Sequence, residues 1–149
     1  MSEISRQQLV IALISAGTNP RLAGVDLSAI DLTRLDLSGA SMRASNLQAA
    51  TLRESVLRVA NLSYANATTA VMIGVDLDAA NLTGVNFTRA NLTSSRLTNA
   101  NLTNATLNGA NLTGANMKGA NVTGVKFDES TTWPDGKKGA AGNPASYTL

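Results

Sequence analysis

The strongest constraint in this chain is a period of five. From about residue 20 to residue 129 an apolar residue returns at every fifth position without a break. It is Leu at 22, 27, 32, 37, 47, 52, 57, 62, 77, 82, 92, 97, 102, 107 and 112. Met42, Ala67, Met72, Phe87, Met117, Val122 and Phe127 fill the remaining central positions. Two residues before each centre stands a small or apolar residue, most often Ala, and between the two Asn or Asp occupies 14 of 22 places. Ser or Thr, and then often Gly, follow the centre. A helix needs apolar residues three and four apart, which a strict five does not supply. In extended chain, residues two apart share a side, so the Ala-type and Leu-type positions face inward and the Asn/Asp between them faces water. The next residues carry turn chemistry. Each unit is therefore a short straight edge plus a corner. It cannot bury its apolar face alone, so neighbouring units must stack into a solenoid.

Runs such as Ala90-Asn91-Leu92-Thr93-Ser94 and Ala110-Asn111-Leu112-Thr113-Gly114 resemble the A(D/N)LXX signature of pentapeptide repeat proteins. The resemblance covers about 110 of the 149 residues, in 22 consecutive units without insertion. It implies an all-β fold, a right-handed quadrilateral β-helix with four units per coil and one per face, of about 5.5 coils here. It also implies a family abundant in cyanobacteria.

Four units per coil would place residues twenty apart in vertical register. Arg34 then falls over Glu54, Arg58 over Asp78, and Asp76 over Arg96. One central column reads Leu27, Leu47, Ala67, Phe87, Leu107, Phe127, so its smallest member adjoins a Phe, and Phe87 is expected to fill the space that Ala67 leaves.

The open ends of a solenoid need covers. Residues 1–19 are expected to form a helical cap, 20–129 the β-helix, and 130–149 a turn and tail. Ser5-Arg6-Gln7-Gln8 fits a capping box, Gly17 suits a left-handed C-terminal position, and Pro20 stops continuation. Leu9, Val10, Leu13 and Ile14 would cover the first coil. The single Arg6 and upstream Glu3 favour an ordinary helix over a signal peptide. Thr132-Trp133-Pro134-Asp135-Gly136 reads as a turn, with the only Trp placed to cover the last coil. The tail that follows, rich in Ala, Gly and Lys, is expected to pack loosely or to remain mobile.

Composition closes off most catalysis. With no Cys and no His there is no disulfide, no thiolate or imidazole zinc site, and no His-dependent triad. Asp26, Asp31 and Asp36 fall on three different faces and so diverge. Asp76 and Asp78 flank Leu77, where charge pairing is the better reading than a cation site. No catalytic residue, cofactor or metal ligand is expected, and no enzyme activity. The many Asn-x-Thr triplets, from Asn61 to Asn121, arise from the repeat itself and say nothing of glycosylation.

Twelve basic and ten acidic residues give +2, too weak a field to argue for nucleic acid or membrane. One face stands out at twenty-residue spacing: Asn61/Ser63, Asn81/Thr83, Asn101/Thr103 and Asn121/Thr123 make two parallel polar ladders, with Tyr64 at a corner beside them. The function expected is a non-enzymatic scaffold presenting regular polar faces to an unidentified protein partner, as a monomer or weak end-to-end dimer in the cytoplasm. Two alternatives stand beside it. The resemblance admits a DNA-mimic modulator of a type II topoisomerase, which the near-neutral charge disfavours; the Asn/Thr face admits an ice- or water-ordering surface.

Overall fold

The computed structural model of the chain describes residues 5–17 and 19–149, without the side chains of residues 14–16. Parallel bridges join residues twenty apart, from Arg21 with Ser41 through to Thr106 with Lys126. Each five-residue unit supplies one bridge position, so the chain passes four faces before returning above its starting point. We number the faces by their bridge residues: face 1 holds 21, 41, 61, 81, 101 and 121; face 2 begins at 26, face 3 at 31 and face 4 at 36.

The backbone bonding within a unit explains the period. The centre and the residue two beyond it donate upward: Leu27 N bonds Asn46 O at 2.8 Å, and Ala29 N bonds Gln48 O at 2.8 Å. The bridge residue donates downward, as Asn46 N does to Val25 O at 3.0 Å. The centre carbonyl then closes the corner by accepting from the residue three on, as Phe87 O does from Ala90 N at 2.9 Å. Five residues thus meet nearly all their backbone demands with one edge and one turn. The turn puts the residue two past each centre from Leu22 to Val122 at positive φ. Eight such places are Gly, but thirteen are not, and they include the β-branched Val59 and Thr69, both at φ 57.

Inside, the centres stack in four columns. Every one from Leu27 to Leu112 is fully buried, Ala67 and Phe87 included. Ala67 N bonds Asn86 O at 2.8 Å, which sets these two centres in adjacent coils. The residues two before the centres sit where faces meet, and only small side chains fit in number there. Ser takes that place at 45, 55 and 95 and is buried in each case. Ser55 Oγ donates to Leu52 O at 2.9 Å, whereas the Ser45 and Ser95 hydroxyls find no partner.

At the start, helix α1 spans Arg6–Ala16. Its capping box is formed: Ser5 Oγ accepts from Gln8 N at 3.2 Å, and Gln8 Oε1 accepts from Ser5 N at 2.9 Å. Gly17 ends it at φ 72, ψ −140, outside the left-handed region expected for it and in a region that only glycine enters freely. Leu9 is fully buried and Leu13 packs against the core, whereas Ile11 is 58% exposed. The Ile14 side chain lies outside the described residues.

At the far end the expected turn is present, with Gly136 N bonded to Trp133 O at 2.9 Å, but the tail after it does not pack loosely. The bridge separation steps from 20 to 21 at Asn111 with Thr132. The extra residue falls in the Asp128–Thr131 corner, where Asp128 Oδ1 gathers Gly109 N, Ser130 N and Thr131 N at 2.9, 3.0 and 3.1 Å. Beyond it the ladder resumes, with Leu112 N bonded to Thr132 O at 2.8 Å and Gly114 N to Pro134 O at 2.9 Å. Trp133 therefore takes a central position above Leu112 and is fully buried. The tail closes over it. Trp133 Nε1 donates to Gly139 O at 2.8 Å, the Tyr147 ring stacks on the indole at 5.8 Å, and Phe127 meets it edge-on at 5.1 Å. Tyr147 Oη donates to Asp135 at 2.8 Å, and Gly119 N bonds Thr148 O at 2.7 Å. The tail packs here because the indole gives it an apolar floor and a hydrogen-bond donor.

Candidate interaction face

On face 1 the bridge residue of each unit does more than meet water. Asn61 Oδ1 accepts from Ser63 N at 3.0 Å, Asn81 Oδ1 from Thr83 N at 3.1 Å, Asn101 Oδ1 from Thr103 N at 3.1 Å, and Asn121 Oδ1 from Thr123 N at 3.0 Å. The hydroxyls of Thr83 and Thr103 donate to the same oxygens at 2.7 and 2.6 Å. Asn101 Nδ2 reaches down to Thr83 Oγ1 at 3.1 Å, joining two rungs. This is an Asx turn with a second clamp: the amide oxygen holds the backbone and the hydroxyl two residues on. The ladder is consequently a set of fixed rotamers rather than a brush of free side chains.

The candidate residues are unequal in exposure. Asn81, Asn121 and Thr123 are exposed, while Asn61, Thr83, Asn101 and Thr103 are half-buried. Ser63 is buried, which removes it from any contact surface. It lies one coil above Arg43 and beside Tyr64, and the Arg43 side chain crosses that corner to bring its guanidinium within 5.8 Å of the Tyr64 ring. Tyr64 is 60% exposed. One edge of its ring lies against Gly84, where an added Cβ would come within 2.7 Å of Cδ1 and Cε1, so the glycine is what lets the ring rest there. Among the described residues of face 1 there is no carboxylate, and Arg21 and Arg43 form no ion pair.

Faces 3 and 4 carry the ion pairs between coils. Arg34 on face 3 pairs with Glu54 at 2.7 Å, as the register predicts. Arg58 instead reaches diagonally to Asp76 at 2.6 Å rather than to Asp78. Asp78 is already engaged, taking the Thr98 hydroxyl and lying 4.0 Å from Arg96, while Arg96 also approaches Asp76 at 3.8 Å. One carboxylate thus sits between two guanidiniums. Exposed pairs of this kind contribute about 0–1 kcal/mol each.

Asp26, Asp31 and Asp36 lie on faces 2, 3 and 4 and do not converge. Each makes the Asx clamp, to Ser28 N at 2.9 Å, Thr33 N at 2.9 Å and Ser38 N at 3.0 Å. These bonds hold all three carboxyls below their ordinary range, the Ser28 amide leading for Asp26 and the hydroxyls of Thr33 and Ser38 for the other two. Among the described residues no group of three acidic, Cys or His side chains is arranged to hold a metal ion. No helix among them is long and apolar enough to cross a membrane.

Eight copies of a family model described as pentapeptide repeats match residues 21–58, 60–99 and 95–131. The chain is a pentapeptide repeat protein. Solved members of this family are right-handed quadrilateral β-helices. A trypsin-treated form of QnrB1, a plasmid-mediated fluoroquinolone resistance protein, matches with a TM-score of 0.59 at 19% identity, over 74% of this chain and 80% of that one. The likeness is one of fold. Rfr23, a pentapeptide repeat protein of the cyanobacterium Cyanothece 51142, is 29% identical over 84% of this chain and 99% of its own, with a TM-score of 0.39. The Nostoc PCC 7120 protein alr5209 is 25% identical, covers 91% and 90%, and has a TM-score of 0.41. Among curated protein sequences nothing matches.

In this pentapeptide repeat protein the clamp is not confined to face 1. Asn66/Thr68 and Asn86/Thr88 repeat it on face 2, and Asn91/Thr93 and Asn111/Thr113 on face 3. The Asn-x-Thr spacing is the sequence signal that carries it, and it follows from turn geometry. What sets face 1 apart is the exposed Tyr64 with Arg43 and the absence of acid, not the ladder.

Proposed function

We propose that this pentapeptide repeat protein is a non-enzymatic interaction scaffold that presents face 1 to a protein partner. The observation that carries the reading is the corner where Tyr64 lies on Gly84, 60% exposed and flanked by Arg43, next to rigid rungs at Asn81/Thr83 and Asn101/Thr103. Tyr and Arg are the residue types that most often dominate interfaces, and rungs already fixed lose little entropy on contact. In this reading residues 1–19 and the closed C-terminal end cover a β-helix of about 5.5 coils, and the protein works as a monomer or weak end-to-end dimer in the cytoplasm without a reaction centre.

A photo-crosslinking residue placed at Asn81, the exposed rung beside Tyr64, should capture a partner from the native source, and one at Thr113 on face 3 should not. Tyr64→Ala and Arg43→Ala should each abolish that capture. Equal capture from both faces, or capture unaffected by either variant, would remove the proposal. Modulation of a type II topoisomerase by DNA mimicry remains the alternative. It is disfavoured because the carboxylates of face 4 are engaged by Arg58 and Arg96. Inhibition of gyrase supercoiling would restore it. Ice binding is disfavoured by the commitment of the Thr83 and Thr103 hydroxyls to Asn oxygens, and thermal hysteresis at millimolar protein would revive it.

A further inference from the structure

In the coils above the first, up to the corner at Asp128, the carbonyls one residue before and one after a centre point toward the coil below and accept its amides. Val56 O takes Leu37 N at 2.7 Å and Arg58 O takes Gly39 N at 2.8 Å. The first coil has no coil beneath it, so its equivalent carbonyls face the beginning of the chain. On face 3 the protein fills this vacancy itself. Arg6 Nη1 donates to Asp31 O, Arg6 Nη2 donates to Thr33 O at 3.0 Å, and the guanidinium stands 3.6 Å from the Asp31 carboxylate.

One face further on the same three acceptors recur: Asp36 O, Ser38 O and the Asp36 carboxylate, at the same places in the repeat. The two carbonyls receive no hydrogen bond. A cleft of about 400 Å³ opens on them between α1 and the first coil, lined by Leu13, Gly17, Pro20, Asp36 and Ser38. Asp36 Oδ1 is held by Ser38 N at 3.0 Å and Ser38 Oγ at 2.6 Å, which fixes the carboxylate and leaves its second oxygen free. Arg58, one coil above Ser38, is committed to Asp76 and does not fill the site.

We propose that this cleft binds a guanidinium group, in the manner in which Arg6 already occupies the edge of face 3. A planar fork of N–H donors suits two carbonyls two residues apart beside a carboxylate, and a single ammonium does not span them. Leu13 and Pro20 provide an apolar wall for the methylene stem. The group comes either from a free small guanidinium compound or from an arginyl side chain on a partner segment. Neither source depends on face 1 being an interaction face.

Amide NMR titration of the full chain tests it, with agmatine as the probe, the amine-only analogue putrescine as control, and acetyl-Gly-Arg-Gly-amide as the peptide arm. Agmatine should shift the Ser38 and Gly39 amides saturably, and putrescine should bind at least about tenfold more weakly. Asp36→Asn keeps the clamp to Ser38, as Asn46 and Asn91 do in their units, but removes the charge, and should weaken agmatine about tenfold. Arg6→Ala should open the face 3 edge to a second equivalent, seen at Thr33. If that variant fails to fold, the Asp36→Asn comparison decides alone. Tighter binding of the peptide than of agmatine assigns an arginyl segment, and the reverse assigns a free compound. No saturable shift at Ser38 and Gly39, or an affinity unchanged in Asp36→Asn, would overturn the proposal.

Discussion

The column Leu47, Ala67, Phe87, Leu107 permits a double-mutant cycle that tests the stacking of the core. The coil holding Ala67 has Leu62, Met72 and Leu77 at its other centres, and the coil above has Leu82, Phe87, Leu92 and Leu97, all fully buried. Elsewhere a coil takes four Leu, as at 22, 27, 32 and 37, or three Leu and one Met, as at 42, 47, 52 and 57. Ala67→Leu alone adds three carbons beneath a ring that already fills the gap, and should cost about 1–3 kcal/mol by overpacking. Phe87→Leu alone leaves a void over Ala67 and should cost about 1–2 kcal/mol. Together they convert the lower coil to three Leu and one Met, and the upper to four Leu. Both compositions are ones the protein already uses, so the double variant should return to within about 1 kcal/mol of the parent, a coupling of about 2–4 kcal/mol. Urea denaturation followed by circular dichroism measures all four corners. Additive losses in the double variant would refute the reasoning, because they would mean that the two side chains do not share one space.

Three further outcomes follow from the geometry. Val59 is 69% exposed and held at φ 57, so Val59→Gly should raise the denaturation midpoint by an amount corresponding to about 0.5–1 kcal/mol; a lower midpoint would deny that corner strain is released. Gly142 has an ordinary φ of −101, but an added Cβ would come within 2.6 Å of the Trp133 Cγ and Nε1, so Gly142→Ala should lift the tail and shift Trp emission to the red, and unchanged emission would contradict that seat. The bond from Lys137 and the Tyr147 hydroxyl lower the Asp135 carboxyl to about 2, and desolvation with the same Asp135 contact raises Tyr147 to about 12. The Asp135 contribution is thus present above its ordinary value of 3.8 and lost as pH falls toward 2, while that of Tyr147 is present below 10 and lost as pH rises through 12. Tyr147→Phe should bring the Asp135 titration, followed by carboxyl NMR, back upward; a titration that stays near 2 would assign the shift to Lys137 alone.

The period of five made the inward columns legible, because burial at every fifth residue leaves few other geometries, while the twenty-residue register came with the family resemblance, which implies four units per coil. Residues whose placement depends on side-chain reach were not legible in the same way. Vertical register names the neighbour directly above, so it paired Arg58 with Asp78; a long side chain reaches diagonal neighbours as well, and Arg58 takes Asp76 Oδ2 while Asp78 Oδ1 takes the Thr98 hydroxyl. Ser63 had the outward position of a contact residue, yet it is buried, and the period carries no signature that sets it apart from Thr83 and Thr103. Trp133 fell out of phase through the one-residue step at Asp128–Thr131, although Thr132-Trp133-Pro134-Asp135-Gly136 has the form of a unit when read one residue late. The Asn clamp was visible as Asn-x-Thr throughout, but its meaning lies in the turn, which pattern alone does not supply.

The twenty-residue register fixes how the length of such a protein can change. A gain or loss of twenty residues adds or removes one storey and leaves every side chain on its own wall. A gain or loss of five is locally flawless, since the units still interlock, yet it turns everything downstream through a quarter revolution. Tyr64 would then keep its corner while the rungs at Asn81 and Asn101 moved to another wall. Stability would scarcely register such an event, whereas any surface composed from several storeys would be scrambled. Folding counts this chain in fives; a binding surface counts it in twenties.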